Sequence, residues 1–283
     1  MAEGPLAGFD YLRLPGEGVT LNAAWAGEGP PLLLLHGYPQ THAMWHLLAP
    51  QLAKSFSVVA LDLRGYGDSD KPPGDAAHER YSKRAMAADA VAAMRSLGFE
   101  RFAVVGHDRG ARVTHRMALD HPDVVERAAL LDIIPTRTFF ETLDQQAARS
   151  YYHWFFLAQP PDLPERLIGA DPDFFLRWTV FSWTADRAPL APAAMQEYMR
   201  CFRDPATIHA TCEDYRAGAT IDLEHDAADA ERRVDCPLLV LWGAAGRIGR
   251  LYDVLGTWKA LATDVRGCAV PAGHFPAEES PEE

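Results

Sequence analysis

The sequence predicts an α/β protein: a mostly parallel, twisted sheet flanked by helices, with a helical cap inserted after the sixth strand. Three observations lead there. Short apolar runs closed by turn residues alternate with longer helical patterns, as in a parallel sheet covered on both faces. From about residue 138 to residue 219 the strand-like runs vanish and an aromatic-rich helical segment takes over. The 283 residues, 48% of them hydrophobic, suffice for one large core and exclude a disordered or fibrous chain. The boundaries that follow are 1–137 and 220–283 for the two parts of the sheet domain and 138–219 for the cap.

Charge and composition narrow the partners. Lys plus Arg number 27 against 39 Asp plus Glu, a formal charge of −12, which excludes nucleic-acid binding as the main activity. Only local cations could hold a small anion against that field. Cys201, Cys212, Cys236 and Cys268 are widely spaced with no C-x-x-C pair, so neither a metal site nor a disulfide framework is expected. The N-terminal stretch Met1–Asp10 has no basic start or apolar run, and Leu32–Leu35 is far too short to cross a bilayer. A soluble cytoplasmic protein, without nucleic-acid or membrane partners, is expected.

The strands are read in order. Pro30-Pro31 leads into Leu32–Leu35; Ser57–Leu61 ends at Asp62; Phe102–Val105 ends at Gly106; Ala128–Leu131 ends at Asp132; Leu238–Trp242 ends at Gly243. Such runs read as strands buried on both faces. Ser82–Leu97, Ala- and Met-rich, reads as a helix stopped by Gly98. Between Thr138 and Ala219 lie Tyr151, Tyr152, Trp154, Phe155, Phe156, Trp178, Trp183 and other aromatics, a lid in the position beyond the strand ends where ligands bind.

Gly106-His107-Asp108-Arg109-Gly110 is the most informative stretch. It has the G-x-nucleophile-x-G form of a strand-to-helix elbow, whose glycines permit a tight turn that pushes the middle side chain outward. Here that residue is Asp108, a carboxylate able to displace a leaving group from carbon and form an ester. The alternative, a simple helix cap, leaves two neighbouring cations unexplained. Arg109 and Arg112 stand in the first helical turn, where the helix dipole disfavours positive charge. Beside a nucleophile they are suited to gripping a substrate carboxylate, Arg112 alternatively forming a surface salt bridge to Asp120 or Asp123. His36-Gly37-Tyr38-Pro39 follows the first buried strand, so the backbone N–H groups of Tyr38 and Arg109 are expected to form an oxyanion hole, with His36 ordering the loop. His274, in Val270–Pro276, is the expected base. Ala244-Ala245-Gly246 leaves the position after Leu238–Trp242 without an acid, so Asp132 is the expected third member, or else a turn residue.

These residues match the α/β-hydrolase superfamily, and more narrowly the chain resembles the haloacetate dehalogenases, fluoroacetate dehalogenases in particular. The matching blocks are His36–Trp45, Gly106–Arg112, Tyr152–Trp154 with Leu157–Pro160, Ser182–Thr184, Cys212–Gly218 and Gly273–Phe275. The resemblance implies that Asp108 attacks the halogen-bearing carbon, Arg109 and Arg112 hold the carboxylate, and His153, Trp154 and Tyr215 donate hydrogen bonds to the leaving halide. It implies that His274 with Asp132 activates water, that His107 and Trp183 belong to the pocket, and that the protein is a homodimer. It calls for no cofactor or metal; the partner is a small anionic haloacid. Two departures stand out. Tyr38 takes the place of an expected Phe, and the chain reaches Glu283 without the final helix expected to anchor the His274 loop. An epoxide hydrolase using Tyr152 and Tyr215 as acids is the runner-up, though a neutral epoxide gives Arg109 nothing to hold. A hydrolase-fold binding protein with little turnover is the third reading.

Overall fold

The computed structural model describes residues 4–188 and 190–283; Met1–Glu3, where the N-terminal reading begins, lie outside them. Eight strands form one sheet: β1 (Asp10–Pro15), β2 (Thr20–Ala26), β3 (Pro31–Leu35), β4 (Ser57–Leu61), β5 (Phe102–His107), β6 (Val125–Leu131), β7 (Leu238–Gly243) and β8 (Val265–Val270). Their order is β1-β2-β4-β3-β5-β6-β7-β8. The β1–β2 and β2–β4 pairs are antiparallel and the others parallel. Among the described residues, no helix is long and apolar enough to cross a membrane.

The sequence-derived strands fall within β3 to β7, but they are not equally covered. Every residue of β3 after Pro31 and every residue of β4 is buried, whereas β6 exposes Glu126 and Arg127 and β7 exposes Leu239. Burial on both faces therefore holds at the centre of the sheet only. The hairpin β1–β2 and the edge strand β8 were not anticipated: β1 and β8 carry polar residues on a solvated face and lack an apolar run. The expected helix over 82–97 spans Lys83–Ser96; Ser82 caps it by accepting from the Ala85 N–H at 3.1 Å, and Gly98 takes the left-handed φ of +86° beyond its end.

Register gathers the chemistry. Leu35 pairs with Gly106, and His107 with Leu131, so parallel β3, β5 and β6 end together and present the Gly37 loop, Asp108 and Asp132 along one edge. Gly243 pairs with Val270, bringing the loop that holds His274 to the same edge. Between β6 and β7 the described residues form helices and no strand. Tyr152–Leu157, Pro172–Trp183 and Pro205–Gly218 carry His153, Trp154, Trp183 and Tyr215 over the strand ends.

Close backbone approach holds these loops together. A Cβ on residue 243 would lie 1.7 Å from the Gly273 carbonyl oxygen, and the Gly243 N–H donates to Asp132 Oδ1 at 3.0 Å. Gly243→Ala should therefore drive β7 from the base loop, lowering the free energy of urea unfolding by about 1–3 kcal/mol, as overpacking does.

Candidate active site

Asp108 occupies the turn from β5 into the helix Arg109–Asp120 with φ 46° and ψ −114°, a conformation strained for a side-chain-bearing residue. The glycines around it do not take positive φ; they permit the tight turn by making room for close approach. A Cβ on Gly110 would meet the His36 carbonyl oxygen at 2.3 Å, and one on Gly37 would meet Asp108 Cβ at 2.5 Å. Asp108 is thereby pressed against the oxyanion loop, and its Oδ2 accepts the Tyr38 N–H at 3.0 Å. His36 orders that loop as expected: its Nδ1 bonds the Gly37 carbonyl at 2.9 Å, and its Nε2 accepts the Leu63 N–H at 3.1 Å.

The expected base and acid are joined. His274 Nδ1 lies 2.6 Å from Asp132 Oδ2. Burial alone would lower the His274 pKa, but the hydrogen bond and charge of Asp132, with the charge of Asp108, hold it above the ordinary histidine value. Burial likewise opposes ionisation of Asp108, yet His274, Arg109 and Arg112 keep its carboxyl below the ordinary range. The base loop is well anchored: Trp183 O accepts the His274 N–H at 2.9 Å, and Glu279, in the short helix Pro276–Glu279, accepts from the Gly273, Phe275 and Ala185 N–H groups. His107 stands behind the base instead of in the cavity wall, its Nε2 2.6 Å from the His274 carbonyl, and burial pushes its pKa down to about 3.

The two arginines part company. Arg109 is fully buried and bound to Asp214 through Nε (3.0 Å) and a second guanidinium nitrogen (2.6 Å), with Nη1 alone unpartnered. Asp214 also receives the Tyr66 hydroxyl at 2.6 Å and the Lys83 ammonium. Arg112 has no carboxylate within 4.0 Å among the described residues: its Nη1 donates to Ile134 O and Thr136 Oγ1, both at 2.9 Å, and its Nε is buried without a partner. Burial and the adjacent Arg109 charge push its pKa down to about 10. Asp120, its alternative partner, is taken by Arg84 and Arg116. Arg112 thus brings an uncompensated charge to the cavity wall.

That cavity holds about 50 Å³, and Asp108, Arg112, Asp132, His153, Trp154, Trp183 and His274 are among the residues that line it. His153 Nδ1, Trp183 Nε1 and the hydroxyls of Tyr215 and Tyr38 are buried without partners. The ring centroids of His153 and Trp154 each lie 5.7 Å from that of Tyr215, so the three expected halide donors form one cluster. Their environment suits an anion: burial keeps His153 neutral, far below its ordinary pKa, and holds the Tyr215 phenol protonated. Tyr152, by contrast, is partly exposed and meets Trp178 edge-on. Sequence reasoning missed Asp214, Arg247 and Arg250; the last two also line the cavity. Arg247 directly follows the three small residues that stand where an acid was sought, a signal that could have found it.

Comparisons with known proteins agree with the fold. A family model described as the alpha/beta hydrolase fold matches residues 30–281. The chain is 50% identical over 277 residues to a fluoroacetate dehalogenase of Burkholderia sp, covering 98% of this chain and 91% of that one. It is 34% identical to a soluble epoxide hydrolase of Corynebacterium sp. (strain C12), covering 94% and 91% of the two. A solved structure from Nostoc sp PCC 7120, described as an α/β hydrolase, superposes with a TM-score of 0.96 at 57% identity, covering 97% of this chain and 94% of that one.

The acid–base pair gives a direct prediction. In Asp132→Asn the raising charge is gone while burial remains, so the His274 pKa should fall below its wild-type value; an NMR titration of the His274 ring checks this, and an unchanged pKa would contradict the assignment.

Proposed function

The chain belongs to the α/β-hydrolase family and, within it, to the haloacetate dehalogenases; on that premise we propose that it hydrolyses a short haloacid, such as fluoroacetate or chloroacetate, to the 2-hydroxy acid and halide. The observation that carries this reading is the unpaired Arg112 guanidinium in the wall of a small cavity shared with Asp108. Roughly 10–15 Å³ suffices for one water, so about 50 Å³ admits a two-carbon acid and leaves little room for a bulky epoxide.

In the first step Asp108 Oδ1 attacks the carbon bearing the halogen, the carbon–halogen bond breaks with inversion, and halide leaves. Oδ2, already facing the Tyr38 N–H, becomes the carbonyl oxygen of the ester. Arg112, with Arg109 Nη1, offsets the substrate carboxylate, so that one anion can approach another. His153, Trp154 and Tyr215 stabilise the charge that develops on halogen only in the transition state. In the second step His274 takes a proton from water, and the hydroxide attacks Asp108 Cγ. The negative charge collects on Oδ2, met by the Tyr38 and Arg109 N–H groups. Collapse expels the alkoxide, which takes the proton from His274, and leaves Asp108 as the carboxylic acid, which gives its remaining proton to solvent and returns to the carboxylate.

The cap at 138–219 supplies the halide donors. The four free thiols fit the reducing cytoplasm, and the solvent-facing Phe174, Trp178 and Phe181 support a homodimer. An epoxide hydrolase of the same fold remains the second reading because the tyrosine hydroxyls of 215 and 38 lie unpartnered in the site. Against it stand Arg112 and the exposed position of Tyr152.

Halide release from fluoro-, chloro- and bromoacetate, with Asp108→Asn as the blank, tests the activity; diol from styrene oxide without halide release would overturn it. A single turnover in heavy-oxygen water should label the Asp108 carboxylate and leave the first product unlabelled. Tyr215→Phe should lower kcat by roughly a hundredfold on fluoroacetate, the usual size for one transition-state donor, and by less on bromoacetate, whose leaving group needs less help.

A further inference from the structure

We infer that Arg247, supported by Arg250, forms a second anion site at the mouth of the cavity, through which the small anionic substrate enters and its anionic products leave. The proposal rests on the dehalogenase reading for the identity of the ligand, but the site itself stands on geometry.

Arg247 borders two concavities. It lines the inner cavity with Asp108 and His274, and it also lines an outer groove with Gln145, Gln146, Arg149 and Ser150. Nothing else is common to both walls among the described residues. Its guanidinium lies over the Trp183 ring at 5.8 Å and donates to two backbone carbonyls, Ser150 at 2.6 Å and Ser182 at 3.4 Å. Those bonds hold it in place and leave its charge unanswered: among the described residues no carboxylate lies within 4.0 Å of Arg247 or Arg250. Arg250 is turned back onto the Gly246 carbonyl at 3.0 Å, which keeps a second charge beside the first. The inner cavity therefore counts three guanidiniums, of Arg112, Arg247 and Arg250, against the carboxylates of Asp108 and Asp132.

A protein of charge −12 repels small anions at a distance. Salt screens charges beyond a Debye length of about 10 Å at 0.1 M, so what an arriving anion feels at the mouth is set by the nearby groups. Cations focused by low-dielectric walls raise encounter rates by about 10–10³-fold. Arg247 sits where that focusing acts, between the groove and the nucleophile. Burial lowers its pKa, and the neighbouring Arg250 adds to this; an anion at the mouth relieves both effects.

The full-length protein with Arg247→Gln tests the site by two readouts. At low ionic strength kcat/KM for chloroacetate should fall about tenfold, the lower end of the focusing range, and its decline with added non-halide salt should flatten. The single-turnover rate of ester formation at saturating substrate should stay within about twofold. Acetate binding, followed by tryptophan fluorescence and independent of turnover, should weaken about fivefold. Arg247→Lys, which retains the charge, should preserve the salt dependence. Arg266→Gln, an equal charge change at an exposed position of β8, should behave as wild type. Should Arg247→Gln fail to fold, Arg247→Met keeps the stem against Trp183 and takes its place. An unchanged salt dependence and acetate affinity in the variant would overturn the inference, as would equal effects from Arg266→Gln. If the wild type releases no halide from any haloacetate yet Arg247→Gln still loses acetate, the anion site stands and the dehalogenase reading falls.

Discussion

A carboxylate that is almost dehydrated and yet must stay ionised is the condition on which this molecule is built. Asp108 is buried, and an isolated buried carboxylate would take up a proton instead of bearing the cost of lost solvation. What keeps it charged is a ring of donors and cations: the Tyr38 N–H on Oδ2, His274 opposite, and Arg109 and Arg112 on the following helix. The backbone strain at Asp108, of order 1–3 kcal/mol, is sustained because its backbone is held on both sides: its N–H donates to the Leu131 carbonyl at 3.2 Å and its carbonyl accepts the Arg112 N–H at 3.1 Å. On the proposed reading the same compensation chooses the ligand. Once cations exceed carboxylates in a small closed space, a neutral molecule leaves that excess unanswered and an anion satisfies it.

Precision in the loops comes from the absence of side chains. Gly37, Gly110, Gly243 and Gly273 each bring backbone to within a distance that a Cβ would occupy. The nucleophile, oxyanion and base loops consequently touch through peptide groups, which have fewer alternative positions than side chains. Glu279 completes this by accepting N–H groups from both the His274 loop and the segment after Trp183, tying the cap to that loop.

Much of this was legible in the sequence, and the reasons are local. The central strands announced themselves because both faces are buried, so no polar alternation hides them. Asp108 and Asp132 were visible because each follows directly on a strand, and His274 because a Gly-His-Phe-Pro loop follows the last apolar run. Strands β1 and β8 were not visible, since a half-solvated strand resembles a loop in composition. Nor could the sequence separate the roles of Arg109 and Arg112. That depends on Asp214, more than a hundred residues away, entering from the helix Pro205–Gly218 to pair with one and not the other. The family resemblance implied a pocket place for His107, whereas alternation along β5 turns it behind His274.

The position of the acid explains the remaining wall of the site. In this sheet the acid sits at the end of β6, and Asp132 reaches sideways: Oδ2 meets His274 while Oδ1 receives the Gly243 N–H at the end of β7. One carboxylate therefore both orients His274 and fastens β7 to β6, and on the proposed reading the loop after β7 need not supply the acid. Freed of an acid, that loop can be small at Ala244, Ala245 and Gly246 and then cationic at Arg247 and Arg250. Had the acid stayed after β7, its charge would stand among those arginines and cancel them. Placing it on β6 keeps negative charge behind the base and positive charge toward the opening, a separation that favours an anion moving inward to the nucleophile.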